Sequence, residues 1–302
     1  MEEYDIIIVG AGPAGLTAGI YAGRQNSKTL LIDKGLTGGL GLEVPAMENY
    51  PGYEHIAGMS LIAHTKKQCE KYCQINEMEN IVNIVKESDK TFTVETDKDT
   101  YHTKSIILAT GSKHRELNVP GEEEFKGRGV SYCATCDGMF FKGKDILMIG
   151  GGSSAAQEGI FLSNLGCNVH LVHRRDELRA EGYLQTALEK KGIDVYWKST
   201  VKEIKGSQTV ESVILKKTDG SIEEVKTDAV FVSIGDLPQN ELAKDLGVDL
   251  DENGYIITDK NQKTNMDHVY SAGDITGGVK QWVVACGEGA VASTTAFNEM
   301  NL

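Results

Sequence analysis

Tyr4-Asp5-Ile6-Ile7-Ile8-Val9-Gly10-Ala11-Gly12-Pro13-Ala14-Gly15 opens the chain and decides its fold. The run from Tyr4 to Val9 is apolar and β-branched, the pattern of a strand buried on both faces of a parallel sheet. A glycine turn follows at once, Leu16 to Arg24 continues as a helix, and Thr29 to Ile32 reads as the next strand, ending at Asp33. A Gly-x-Gly-x-x-Gly needs this strand–turn–helix–strand context before it reads as a dinucleotide site. Gly10 permits the tight turn, Gly12 lets a pyrophosphate approach the backbone, and Gly15 lets helix and strand pack closely. The helix N-terminus then faces the phosphates with unpaired N–H groups. Asp33 stands where a carboxylate accepts hydrogen bonds from an adenosine ribose.

The same unit recurs from Asp145. Ile146 to Ile149 reads as a strand, Gly150-Gly151-Gly152-Ser153-Ser154-Ala155 as the turn, Ala155 to Asn164 as a helix and Asn168 to Val172 as a strand. Here the second strand ends not on an acid but in Val172-His173-Arg174-Arg175-Asp176-Glu177-Leu178-Arg179. An acid at that place repels a 2′-phosphate, whereas Arg174, Arg175 and Arg179 attract one, so NADPH is expected rather than NADH. The bland alternative is a solvated basic turn. For the first turn, the distant Gly273-Asp274 favours FAD, because a carboxylate after a short strand is placed for the far end of a long dinucleotide. A helix cap explains that pair equally well.

Between the two units lie an amphipathic helix near Ser60 to Cys73, alternating strand patterns near 79–85 and 91–101, and a buried strand at 104–108 running into Ala109-Thr110-Gly111. A similar strand and small-residue turn recur at Asp228 to Gly235, and Val269 to Asp274 precedes a helix from about Gln281. The expected fold class is α/β, with two Rossmann-like three-layer domains, the second inserted into the first. Residues 1–115 and 246–302 are expected to form the FAD-binding domain, and 116–245 the NADPH-binding domain.

Cys133-Ala134-Thr135-Cys136-Asp137-Gly138 lies between the two fingerprints. Two intervening residues permit a small, readily reduced disulfide ring, and Asp137 could exchange the proton that accompanies thiolate chemistry or simply cap a turn. A zinc site needs a second pair of ligands at defined spacing, and none is visible. Cys69, Cys73, Cys167 and Cys286 read most simply as buried hydrophobes, with Cys69 and Cys73 as a second redox pair the lesser alternative. With 31 basic against 44 acidic residues, a general nucleic-acid-binding role does not fit. Ile6 to Val9 is too short for a signal peptide and no apolar run reaches membrane-spanning length, so a reducing cytoplasm is expected.

Taken together, the motifs resemble those of the low-molecular-weight thioredoxin reductases, within the class II pyridine nucleotide-disulfide oxidoreductases. The matching stretches are Gly10 to Gly15, Glu48-Asn49-Tyr50-Pro51-Gly52, Ala109-Thr110-Gly111, Cys133 to Gly138, His173-Arg174-Arg175-Asp176 and Ala272-Gly273-Asp274. Leu40 stands where the family commonly has glutamine, and Lys280-Gln281 where Arg-Gln is common. The resemblance implies a homodimer that passes electrons from NADPH through FAD to the Cys133–Cys136 disulfide and on to thioredoxin. It also implies that Cys136 faces the flavin, Cys133 attacks the thioredoxin disulfide and Asp137 serves as acid–base. Ferredoxin or a deazaflavin as donor, a flavin-dependent dithiol oxidase, and a nucleotide-binding redox sensor are the alternatives.

Overall fold

The computed structural model describes residues 2–44, 47, 49–88 and 90–300, so Glu48 lies outside the described residues. The chain divides into two compact units, with the breaks at Lys113/His114 and Asp236/Leu237. The first unit opens with β1 (Glu2–Val9), α1 (Pro13–Arg24), β2 (Thr29–Ile32), α2 (Gly58–Cys69), β3 (Gln74–Asn76), β4 (Ile81–Ser88), β5 (Thr91–Thr96) and β6 (Thr100–Leu108). Strand β7 (Ser112–His114) leads into the second unit, which starts with β8 (Val130–Ser131), α3 (Ala134–Asp137), β9 (Asp145–Ile149), α4 (Ser153–Asn164) and β10 (Asn168–Val172). It continues through α5 (Gly182–Lys190), β11 (Val195–Tyr196), β12 (Ser199–Gly206), β13 (Val210–Lys217), β14 (Ile222–Lys226) and β15 (Ala229–Val232). Strand β16 (Asp236–Pro238) leads back to α6 (Glu241–Leu246), β17 (Val269–Ser271) and α7 (Trp282–Met300).

In the first unit the strand order is β3-β2-β1-β6-β5-β4, with β17 alongside the second half of β6. β3, β2, β1, β6 and β17 run parallel, while β4 and β5 form an antiparallel edge. Successive side chains of a strand point to opposite faces. Ile6 and Ile8 therefore join the core beneath α1 and α7, and Ile7 and Val9 join a second core with Phe92, Val94 and Ile256. Helices α1 and α7 approach closely: a Cβ on Gly289 would lie 2.2 Å from the Ala14 carbonyl oxygen.

The second unit repeats this plan with strand order β11-β10-β9-β15-β8, all parallel. Ile146 and Met148 face the core that holds α4 and α5, while Leu147 and Ile149 face the core covered by the antiparallel sheet β12-β13-β14. Strands β7 and β16, through which the chain enters and leaves, pair as a two-stranded ribbon.

Several boundaries differ from the sequence reading. The alternating pattern at 91–101 is two strands, because Thr96, Asp97 and Asp99 close a hairpin turn: the Thr96 hydroxyl accepts the Asp99 N–H at 2.8 Å. Helix α2 stops at Cys69, leaving Cys73 one turn beyond it. Residues 237–245 lie with the first unit, where Ala243 is buried and Leu242 and Leu246 cover the second core. Both fingerprint helices start earlier than the apolar periodicity suggested, at Pro13 and at Ser153, because proline is favoured in a first turn and the turn glycines already hold extended backbone.

Candidate active site

The first glycine turn is assembled by close backbone approach. Gly10 has φ +103°, and a Cβ there would sit 2.3 Å from the Ala109 carbonyl oxygen; a Cβ on Gly15 would sit 1.8 Å from the Gly10 carbonyl oxygen. Gly12 is different: a Cβ there would meet nothing within 4 Å. Gly12 caps α1 without any side-chain hydrogen bond, so the open space faces the first-turn N–H groups of the helix. The room left beside Gly12 fits a dinucleotide pyrophosphate. Asp33 sits beside it, accepting the Ala11 N–H at 2.7 Å and the Gly35 N–H at 2.8 Å. Its carboxylate thus braces the turn and keeps lone pairs for a ribose.

Other candidate residues gather in the same unit. Thr110 and Gln239 exchange two hydrogen bonds, hydroxyl to carbonyl at 2.7 Å and amide to carbonyl at 2.6 Å, so the Ala109-Thr110-Gly111 turn is held from both sides. Gly273 (φ +84°) donates its N–H to the Glu288 carboxylate at 2.7 Å, and Asp274 follows at once. Burial pushes the Glu288 carboxyl above its ordinary range, opposed by the Gly273 and Thr276 hydrogen bonds. Asn49 donates to Gln281 at 3.1 Å, and Lys280 to the Tyr255 hydroxyl at 2.7 Å.

The second turn has the same open cradle at Gly152, which caps α4 with no side-chain hydrogen bond and no atom within 4 Å of a Cβ. Ser153 is engaged locally, accepting the Glu181 N–H at 3.3 Å, while Ser154 is exposed and Ala155 buried. Arg174, Arg175 and Arg179 are exposed, and among the described residues none is in an ion pair with a carboxylate. The Arg179 N–H donates to the Gly151 carbonyl at 2.7 Å, tying the basic segment to the turn. His173 is placed inside. It is 5% exposed, and its ring fills the space a Cβ on Gly151 would take, 2.1 Å from Nδ1. Burial, with Arg175 and Arg179 nearby, holds its pKa below the usual imidazole range, so it supports the loop as a neutral ring.

Cys133 and Cys136 are joined in a disulfide, with Cα atoms 5.3 Å apart, across the short helix α3. Both cysteines are only partly buried. Ser131, which the sequence reading did not single out, organises the turn: its hydroxyl accepts the Cys133 N–H at 3.1 Å and donates to Asp137 Oδ2 at 2.6 Å. Asp137 Oδ1 is buried with no hydrogen-bond partner. Burial raises the Asp137 pKa, partly offset by Ser131. A carboxyl that favours its proton, with one oxygen waiting, suits proton delivery to a leaving sulfur.

The remaining cysteines are buried or half-buried. The hydrogen bond that the Cys73 thiol shares with Cys69, together with burial, pushes the Cys73 thiol far up, and both sulfurs pack against Gly19 of α1. Both are free and buried, as the simpler sequence reading held. Among the described residues no three His, Cys, Asp or Glu side chains gather to hold a metal ion. No helix among them is long and apolar enough to cross a membrane.

Residues 4–289 match the family model described as pyridine nucleotide-disulphide oxidoreductase. Over 298 residues the chain is 40% identical to the thioredoxin reductases of Listeria monocytogenes and Bacillus subtilis, covering 97% and 96% of this chain and 92% of each relative. The crystal structure of the Streptococcus pyogenes thioredoxin reductase superposes with a TM-score of 0.93 at 37% identity, over 99% of this chain and 98% of that one. The chain belongs to the pyridine nucleotide-disulphide oxidoreductases and is an oxidoreductase. Within that family its similarity is to the thioredoxin reductases, enzymes that use FAD and NADPH.

Proposed function

We propose that this protein is an NADPH-dependent thioredoxin-disulfide reductase, working in the cytoplasm as a homodimer on thioredoxin or a thioredoxin-like protein. The observation that carries the reading is one unit holding both the Cys133–Cys136 disulfide beside Asp137, whose pKa burial raises, and an open glycine turn flanked by exposed arginines.

On this reading the first unit binds FAD. Gly10, Gly12, Pro13, Ala14 and Gly15 form the pyrophosphate turn, and Asp33 the ribose acceptor. Asn49, Ala109, Thr110, Gly111, Gly273, Asp274, Lys280 and Gln281 line the rest. The second unit binds NADPH through Gly150, Gly152 and the Ser153-Ser154-Ala155 first turn, with Arg174, Arg175 and Arg179 for the 2′-phosphate and His173 supporting them. FAD, when bound, supplies a two-electron relay between a nicotinamide and a disulfide.

Opening Cys133–Cys136 takes up two electrons and two protons and gives two thiols. Cys133, as thiolate, attacks one sulfur of the partner disulfide and displaces the other, forming a mixed disulfide. Cys136 then attacks Cys133, restoring the internal disulfide and releasing the partner as a dithiol. Asp137 holds the proton that the thiolates give up and take back.

Stopped-flow absorbance of the anaerobic holoprotein tests the scheme. NADPH is expected to bleach the flavin rapidly, NADH slowly, and oxidised thioredoxin to turn over many times. Bleaching by reduced ferredoxin with none by NADPH would replace the donor. A single turnover without recycling would replace the enzyme with a sensor.

A further inference from the structure

The arginine segment has a neighbour that the nucleotide fingerprint does not contain. The chain from Tyr196 to Ser199, where β11 turns into β12, is stitched to it by three backbone hydrogen bonds. The His173 N–H donates to the Tyr196 carbonyl at 3.0 Å, the Lys198 N–H to the Arg175 carbonyl at 3.0 Å, and the Ser199 N–H to the His173 carbonyl at 3.0 Å. At the apex stand Trp197 and Lys198.

Trp197 is 41% exposed, and its indole meets the His173 ring edge to face, with centroids 6.4 Å apart. Since His173 also fills the space beside Gly151, one buried ring links this exposed indole to the glycine turn. A large aromatic left open beside cations is the surface on which a nucleobase stacks. Lys198 takes the left-handed conformation, φ +52°, and its Nζ lies 3.1 Å from Asp176 Oδ2. Asp176 is the carboxylate that follows Arg174 and Arg175 in the chain. The ion pair with Lys198 offsets the negative charge that Asp176 places next to those two arginines.

We propose that the Tyr196–Ser199 turn is the second wall of the 2′-phosphoadenosine site. Trp197 receives the adenine, and Lys198 sets the preference for a 2′-phosphate by occupying Asp176. This rests on the NADPH reading above and adds two residues that decide how tightly, and how selectively, the adenosine end is held.

Calorimetric titration of the holoprotein with 2′,5′-ADP and with 5′-AMP, which differ by the 2′-phosphate alone, tests it. Trp197→Ala is expected to weaken both ligands by about tenfold, since both carry adenine, and Trp197→Phe to keep the affinities within about twofold. Lys198→Ala is expected to weaken 2′,5′-ADP by about fivefold and leave 5′-AMP unchanged. Adding Asp176→Asn to Lys198→Ala then restores the 2′-phosphate preference. Unchanged affinities in Trp197→Ala, with Trp197→Phe also unchanged, overturn the adenine wall. Failure of Asp176→Asn to restore the preference overturns the role of Lys198. Both failures are separate from the underlying reading, which is lost only if the unaltered protein binds 2′,5′-ADP no better than 5′-AMP.

Discussion

The Ser131 hydroxyl donates a 2.6 Å hydrogen bond to Asp137 Oδ2 across the disulfide turn, while Asp137 Oδ1 is buried without a partner. The two oxygens of one carboxyl thus differ: one is anchored by Ser131, and the other has no hydrogen-bond partner. Because burial raises the Asp137 pKa and Ser131 lowers it, Ser131→Ala is expected to raise it further. The limb of the pH–rate profile for thioredoxin reduction that reports Asp137 should then move to higher pH. The sign for stability follows from linkage. A folded-state pKa above the unfolded value gives stability that is complete below the unfolded value, about 3.9 for aspartate, and lost as pH rises through the folded one. Asp137→Asn is therefore expected to melt at a higher temperature than the parent at pH 7, with the difference closing at acid pH, while thioredoxin turnover falls sharply. A variant with unaltered turnover would leave Asp137 as a turn residue only.

Cys133→Ser and Cys136→Ser should separate the two halves of the disulfide exchange. Both are expected to retain FAD and to be bleached by NADPH, since neither cysteine belongs to the residues assigned to the coenzymes. Both should lose multiple-turnover reduction of thioredoxin by at least about a thousandfold, the scale on which removal of a covalent nucleophile acts. Cys136→Ser alone should trap a mixed disulfide through Cys133, visible on a non-reducing gel.

The parallel-sheet plan and both glycine turns were legible in the sequence because burial on two faces leaves continuous apolar runs, Ile6–Val9 and Ile146–Ile149, directly before the glycines. The basic segment was legible as a run of arginines placed directly after β10, where the structure leaves Arg174, Arg175 and Arg179 exposed. What escaped reading depends on contacts without a period. Ser131 reaches Asp137 across a turn, Glu288 reaches Gly273 from the facing helix α7, and Gln239 clasps Thr110 from 129 positions away. His173 sits among the arginines in the sequence, yet the structure turns it inward against Gly151, an orientation the residue string does not encode. Ser131 had one available signal, since it stands two residues before Cys133, where a hydroxyl can meet the cysteine N–H.

Gly151 and Gly152 are adjacent, and their replacement by alanine is expected to do opposite things. A Cβ on Gly151 would collide with the buried His173 ring at 2.1 Å, so Gly151→Ala must dislodge that ring and should cost about 1–3 kcal/mol of unfolding free energy. A Cβ on Gly152 meets no protein atom within 4 Å. Gly152→Ala should therefore lose at most about 1 kcal/mol, as an N-cap change, yet bind 2′,5′-ADP and NADPH at least about tenfold more weakly because the methyl occupies the cradle. Denaturant melts and ligand titration on the two variants distinguish these outcomes. Equal ligand affinity in Gly152→Ala would mean that the cradle is not where the phosphates lie.

Glu158 gives the second unit a pH-dependent stability of its own. It projects from α4, its Oε1 3.4 Å from the Ser233 hydroxyl at the end of β15, and burial pushes its pKa up to about 7, with Asp236 adding to the rise and Ser233 and His114 opposing it. Folded and unfolded states then differ in proton affinity between the ordinary glutamate value, about 4.3, and about 7. The protonated carboxyl contributes its full share of stability below that window, and the contribution drains away as pH rises through it. Glu158→Gln, which keeps the shape and removes the titration, is expected to flatten the dependence of unfolding free energy on pH between about 5 and 8 and to exceed the parent at pH 8 by on the order of 2 kcal/mol. Denaturant unfolding at a series of pH values checks this. Parallel curves for the two proteins would show that Glu158 titrates normally and that its neighbourhood admits water.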